Sequence, residues 1–138
     1  MSKRSSFVVM GTLSLMLGGI IYLLFRENSY VAIIFNVRFI DGLREATPTV
    51  PKEIVSFYLA DFLWSFSLSS YLLAIFLPIK QGAFFCGLTA FLCGVIWEIL
   101  QFVNAVSGTG DMLDMIMYLI AAVLTVMVYR RRWKNEKN

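Results

Sequence analysis

Four stretches of the chain are almost unbrokenly apolar, and polar residues are confined to their ends or to one side of each. They cover residues 7–25, 57–77, 83–103 and 112–129. Each approaches the roughly twenty residues that a helix needs to cross a hydrocarbon core of about 30 Å. The first is closed by Arg26 and Glu27, the second is stopped by Pro78, and the fourth runs into Arg130, Arg131 and Arg132. Lipid cannot satisfy an open backbone, so stretches of this kind must be helical. The pattern predicts an all-α membrane protein: a four-transmembrane-helix bundle forming a single domain over residues 1–138.

Within each span one stripe is small or polar. It consists of Gly11, Ser14, Gly18 and Tyr22 in the first span, and of Asp61, Ser65 and Ser69 in the second. In the third it is Gly87, Ala90, Gly94, Glu98 and Gln101, and in the fourth Asp114, Tyr118, Ala121 and Thr125. Steps of three and four residues place each set on one helix face. Small residues let helices approach closely in lipid, and polar ones must be hidden from acyl chains. The stripes should therefore face inward.

The segment between the first two spans is ambiguous. Tyr30, Ile33, Ile34, Val37 and Ile40 recur at helical spacing, while Val31, Ile33, Phe35, Val37 and Phe39 alternate as a strand would. An isolated strand at a membrane surface leaves its backbone unpaired, which favours an interfacial amphipathic helix ended by Thr47-Pro48. The first span follows Lys3 and Arg4, as a signal peptide would. Its apolar run is longer than a typical signal core and no small-residue cleavage site precedes Arg26, so it reads as retained.

Composition sharpens this picture. At 59% hydrophobic and 15% charged, the chain has too little polar surface for a soluble globule of 138 residues. The absence of His removes imidazole bases, His-containing zinc sites and Ser-His-Asp triads. The net charge of +3 reads as positive-inside bias, not nucleic-acid binding. With four spans, Lys3, Arg4, Lys80, Arg130, Arg131, Arg132, Lys134 and Lys137 fall on one side, and Arg26, Arg38, Arg44 and Lys52 on the other. Both termini are then expected in the cytoplasm of a bacterial inner-membrane protein. Cys86 and Cys93 sit seven residues apart, about 10 Å along a helix, beyond disulfide reach. They read as small packing residues.

The carboxylates carry the chemistry. Asp61 falls roughly 6–9 Å inside the outer boundary of the second span, and Glu98 about 7 Å below the outer end of the third. Gln101 lies one turn above Glu98, and Asp111 and Asp114 open the fourth span. Alternating helix direction brings all of them to one membrane face. A charge in a span costs about 2.5–3.5 kcal/mol or more if it meets lipid, so these groups should face one another, water or a ligand. Glu98 and Asp61 are the candidate catalytic acids, with Gln101, Asp111, Asp114, Trp64 and Tyr118 as candidate ligand contacts. All but Glu98, which sits mid-helix and below the interface, have a structural alternative. Asp111 can cap a helix, Asp61 can pair with Arg38 or Arg44, Gln101 can bond between helices, and Trp64 and Trp97 can serve as packing or interface residues. A divalent cation held by Asp61, Glu98, Asp111 and Asp114 is an alternative, since hard ions take oxygen ligands, but nothing in the spacing is diagnostic and no metal or other cofactor is expected.

Trp97-Glu98-Ile99-Leu100-Gln101, Gly108-Thr109-Gly110-Asp111-Met112-Leu113-Asp114 and Tyr118-Leu119 together resemble the VanZ-like membrane protein family. That family's pattern is E-x-x-Q ending one span, a short glycine-containing loop, and D-x-x-D opening the next. Asp61-Phe62-Leu63-Trp64 is similar to the polar start of an earlier family span, and the resemblance covers about residues 58–125. The chain lacks the family's frequent His and loop Arg, and carries Tyr118 and Ala122 where an Asn followed by a Gly is common. The resemblance implies a cell-envelope protein of the bacterial inner membrane, associated with resistance to glycopeptide antibiotics such as teicoplanin.

Three functions compete. The first is an outward-facing acidic pocket that binds or processes an amphiphilic envelope molecule, a lipid or a lipid-linked cell-wall precursor. In that case Glu98 or Asp61 would be the general base of any reaction. The second is a non-catalytic accessory subunit bound to a membrane-protein partner. The third is a cation-coupled transporter, which the lack of ionisable residues in the inner halves of the spans disfavours.

Overall fold

The computed structural model describes residues 2–25, 58–77, 82–106 and 108–134. These form four helices: α1 (Lys3–Phe25), α2 (Ala60–Phe76), α3 (Gly82–Phe102) and α4 (Met112–Lys134). No strand occurs among the described residues. Helices α1, α3 and α4 are long and apolar enough to cross a membrane. Helix α2 is shorter, 17 residues or about 26 Å. The expected interfacial helix, the proline signals at positions 48, 51 and 78, Arg38 and Arg44 fall outside the described residues.

Helix α2 is the hub, packing against α1, α3 and α4, while α3 and α4 also pack on each other. Its sequence explains this role. Ser65, Ser67, Ser69 and Ser70 are all buried, so small hydroxyl-bearing side chains occupy several faces of one helix. Helix α1 docks through the Ser67 hydroxyl, which donates to the Gly11 carbonyl at 2.9 Å, and through a Thr12–Tyr71 hydroxyl pair at 2.9 Å. Helix α2 begins at a wider turn over residues 58–59 and ends at Leu77, whose extended backbone is typical of a residue preceding proline. The Arg4 guanidinium donates to the Leu77 carbonyl at 3.0 Å, a cation at a helix C-terminus.

The small-polar stripes turn inward as their spacing predicts. Gly11, Ser14 and Gly18 are buried on α1, Ser65 and Ser69 on α2, Gly87, Ala90 and Glu98 on α3, and Tyr118, Ala121 and Thr125 on α4. The two ends of the bundle differ in character. At the end holding the start of α1, Phe7, Leu73, Ala74, Ala83, Cys86 and Tyr129 form an apolar cluster, with the Phe7 and Tyr129 rings 6.1 Å apart. The described basic side chains Arg4, Arg130 and Arg131 lie at this same end. Both cysteines are free, Cys86 buried in the cluster and Cys93 exposed on the outer face of α3.

Candidate functional site

The acids gather at the opposite end, where α2 starts, α3 finishes and α4 starts. Its centre is Glu98, 1% exposed. One carboxylate oxygen accepts the Tyr118 hydroxyl at 2.9 Å, and the other accepts the Asp111 backbone N–H at 2.9 Å. That N–H belongs to the N-terminal boundary of α4, where unpaired amides and the helix dipole favour a negative charge. Glu98 is thus held by one side-chain donor and one helix terminus. Tyr118 reaches it because α3 has Gly94 one turn earlier: a Cβ at Gly94 would run into the Tyr118 ring.

Asp111 is the N-cap of α4. One of its oxygens accepts the Leu113 N–H at 2.9 Å, and the other accepts the Tyr58 hydroxyl at 3.2 Å. The loop before it is held from α3. With its amide oriented to suit its neighbours, Gln101 accepts the Trp97 indole N–H at 2.8 Å and donates to the Thr109 carbonyl at 3.2 Å. Gly108, at φ +143°, lies against that amide, and a Cβ there would come within 2.6 Å of its end. Helix α3 itself ends in a Schellman motif: Asn104 takes a left-handed φ of 56°, its N–H bonds the Gln101 carbonyl, and the Ala105 N–H bonds the Leu100 carbonyl. The E-x-x-Q and G-x-G-D segments therefore act together as a clasp that closes the α3–α4 turn.

Helices α2 and α4 run parallel in register. The Tyr58–Asp111 bond and the bond from the Ser65 hydroxyl to the Tyr118 carbonyl, at 3.4 Å, both join residues 53 apart. The same offset sets Asp61 level with Asp114. Glu98 accepts the Tyr118 hydroxyl directly, and Asp61 and Asp114 lie at the same end of the bundle. Asp61 and Asp114 are half-buried, in contrast to Glu98. Trp64 stands apart from this group: it packs beside Gly18 of α1 and is 53% exposed. Among the described residues no group of three or more Cys, Asp or Glu side chains is arranged to hold a metal ion.

Sequence reasoning did not single out Tyr58, although its spacing from Asp61 and Ser65, three and seven residues on, puts it on the same α2 face. Nor did it anticipate that Glu98 would accept a backbone N–H across the loop. The geometry shields the Glu98 charge with hydrogen-bond donors and sets two further half-buried carboxylates, Asp61 and Asp114, at the same level. No family model, curated protein or solved structure matches the chain.

Proposed function

We propose that the chain is a four-span bacterial inner-membrane protein, termini in the cytoplasm, whose acidic end binds the head group of an amphiphilic envelope molecule. The observation that carries this reading is the gathering of Asp61, Glu98, Asp111 and Asp114 at one end of the bundle, where Glu98 bonds Tyr118 and the Asp111 N–H, with the described basic side chains at the other end. Within that group the roles divide. Glu98, Asp111 and Gln101 build the clasp, while Asp61 and Asp114, half-buried and level with each other, meet the head group. A cationic or hydroxyl-rich head group suits two carboxylates, and a phosphate does not. Binding fits better than general-base catalysis at Glu98, because each of its oxygens already accepts a hydrogen bond. The VanZ-like resemblance adds an envelope setting and a link to glycopeptide resistance.

The test uses the full chain in lipid nanodiscs with spin-labelled alkylammonium, alkyl glucoside and alkyl phosphate probes of equal chain length. The ammonium or glucoside probe should be held at least tenfold more tightly than the phosphate, about 1.4 kcal/mol. The Asp61→Asn and Asp114→Asn variants should lose that preference while keeping the wild-type helical signal. Equal retention of all three probes would refute the reading. So would a preference that persists in both variants. Teicoplanin susceptibility of cells expressing wild-type or Asp61→Asn protein tests the envelope link separately.

A second reading, that the protein is an accessory subunit, draws on the same saturation of Glu98. If the acids only organise the bundle, Asp61→Asn should shift stability and leave probe binding at background in every form of the protein.

A further inference from the structure

Polar side chains continue below the clasp. On α2, Ser65 and Ser69 follow Asp61 at steps of four residues, so all three share a face. The Ser65 hydroxyl donates to the Tyr118 carbonyl on α4. Ser69 is 0% exposed, and its hydroxyl makes no hydrogen bond among the described residues. Buried hydroxyls are almost always paired with protein groups or with ordered water.

The surroundings of Ser69 can be placed from the register. The offset of 53 residues that holds for Tyr58–Asp111 and Ser65–Tyr118 sets Ser69 level with Ala122, one turn further along α4. Helix α3 comes close to α4 at Gly87, where an added Cβ would lie 2.8 Å from a Val126 methyl and 3.4 Å from the Ala122 carbonyl oxygen. Ala90, Ala121 and Ala122 are all buried. Thr125, also fully buried, donates its hydroxyl to the Ala121 carbonyl at 2.7 Å and keeps lone pairs on its own oxygen. The Ser69 hydroxyl, the Thr125 oxygen and the helix carbonyls of this seam would supply the two to four polar partners that a buried water takes.

We propose that a water molecule is bound at Ser69 in the α2–α3–α4 seam, carrying the hydrogen-bonded network of Glu98 and Tyr118 about one turn deeper into the bundle. The site is distinct from the head-group site and does not depend on it. Water is the ligand class that fits: the walls leave no place for a larger molecule's charge, and no ionisable side chain flanks Ser69 on α2.

Water-edited solid-state NMR on the isotopically labelled full chain in lipid bilayers tests this. Polarisation from water should build up at the Ser69 Cβ at least threefold faster than at the Cβ atoms of Ala74 and Ala83, which lie in the apolar cluster. In Ser69→Ala, the build-up at the Ala122 Cβ should fall to the level of Ala74. Build-up at Ser69 no faster than at Ala74 in the wild-type protein overturns the proposal, since the hydroxyl would then be bonding back to its own helix. An Ala122 signal unchanged by Ser69→Ala overturns it equally.

Discussion

Replacing Tyr118 by Phe removes one oxygen from the centre of the acidic end and tests how Glu98 is tolerated there. The ring keeps its place against Gly94, so packing is conserved and the loss is confined to one hydrogen bond. That bond is 2.9 Å long and joins two buried side chains. A hydrogen bond to a charged acceptor contributes about 1.5–3 kcal/mol, against about 1 kcal/mol for a neutral one. Hydrogen bonds between membrane helices average nearer 0.6 kcal/mol, with a maximum of about 1.7. Glu98 has one other donor, the Asp111 N–H, so removing Tyr118 takes half its partners and should fall at the upper end of the membrane range. We expect a loss of about 1.5 kcal/mol, roughly tenfold in the unfolding equilibrium. Reversible unfolding in mixed micelles, followed by tryptophan fluorescence, measures it. Combined with Glu98→Gln, the double-mutant cycle should show a coupling of about 1 kcal/mol or more. A Tyr118→Phe protein within about 0.5 kcal/mol of wild type, and additive with Glu98→Gln, would refute the account of Glu98 as an acid stabilised by its phenol partner.

Further outcomes follow from single contacts. Gly94→Ala pushes a methyl into the Tyr118 ring and should cost about 1–3 kcal/mol by overpacking, with the loss relieved when Tyr118 is also Ala. Asp111→Ala removes the α4 cap and the Tyr58 contact, and should cost about 1 kcal/mol or somewhat more in the same unfolding assay. Asp111→Asn keeps the cap and should recover most of that. Asn104→Val forces a β-branched residue into a left-handed conformation and should destabilise by about 1–2 kcal/mol, whereas Asn104→Gly should be neutral or stabilising. A lipid-soluble organomercurial, which binds thiols with release of the proton and needs no preformed thiolate, should modify the exposed Cys93 in the folded protein and leave the buried Cys86 unmodified until it unfolds; equal labelling would contradict the packing of α3.

Much of the architecture was readable from the chain because helical periodicity and lipid chemistry act in the same direction. Ser14, Ser65, Ala90 and Thr125 were placed inward from their spacing alone, and all are buried. Convergence of the acids on one end was legible too, since it needs only alternating helix direction. The division of labour among them was not. That Glu98 accepts the Asp111 N–H depends on how tightly a loop ending in Gly110 folds back on α3, and nothing in residue spacing encodes that path. Trp64 and Trp97 look alike in sequence, yet Trp97 donates to Gln101 within the clasp while Trp64 packs against α1. The distinction lies in which helix comes alongside, a tertiary fact. Helix α2 is regular α-helix from Ala60, with a widened helical turn at residues 58–59 that apolar spacing did not signal.

The central helix is also the one least suited to lipid. Helix α2 carries an aspartate and four buried serines in 17 residues, a segment that a translocon would release into the bilayer reluctantly on its own. In the four-span reading its entry is coupled to a neighbour already in place, and α1, synthesised first and docked on it through Ser67, is the natural escort. Biogenesis then becomes a property of the α1–α2 hairpin: a bulky side chain at Gly11 would be felt as failed integration before it is felt as lost function.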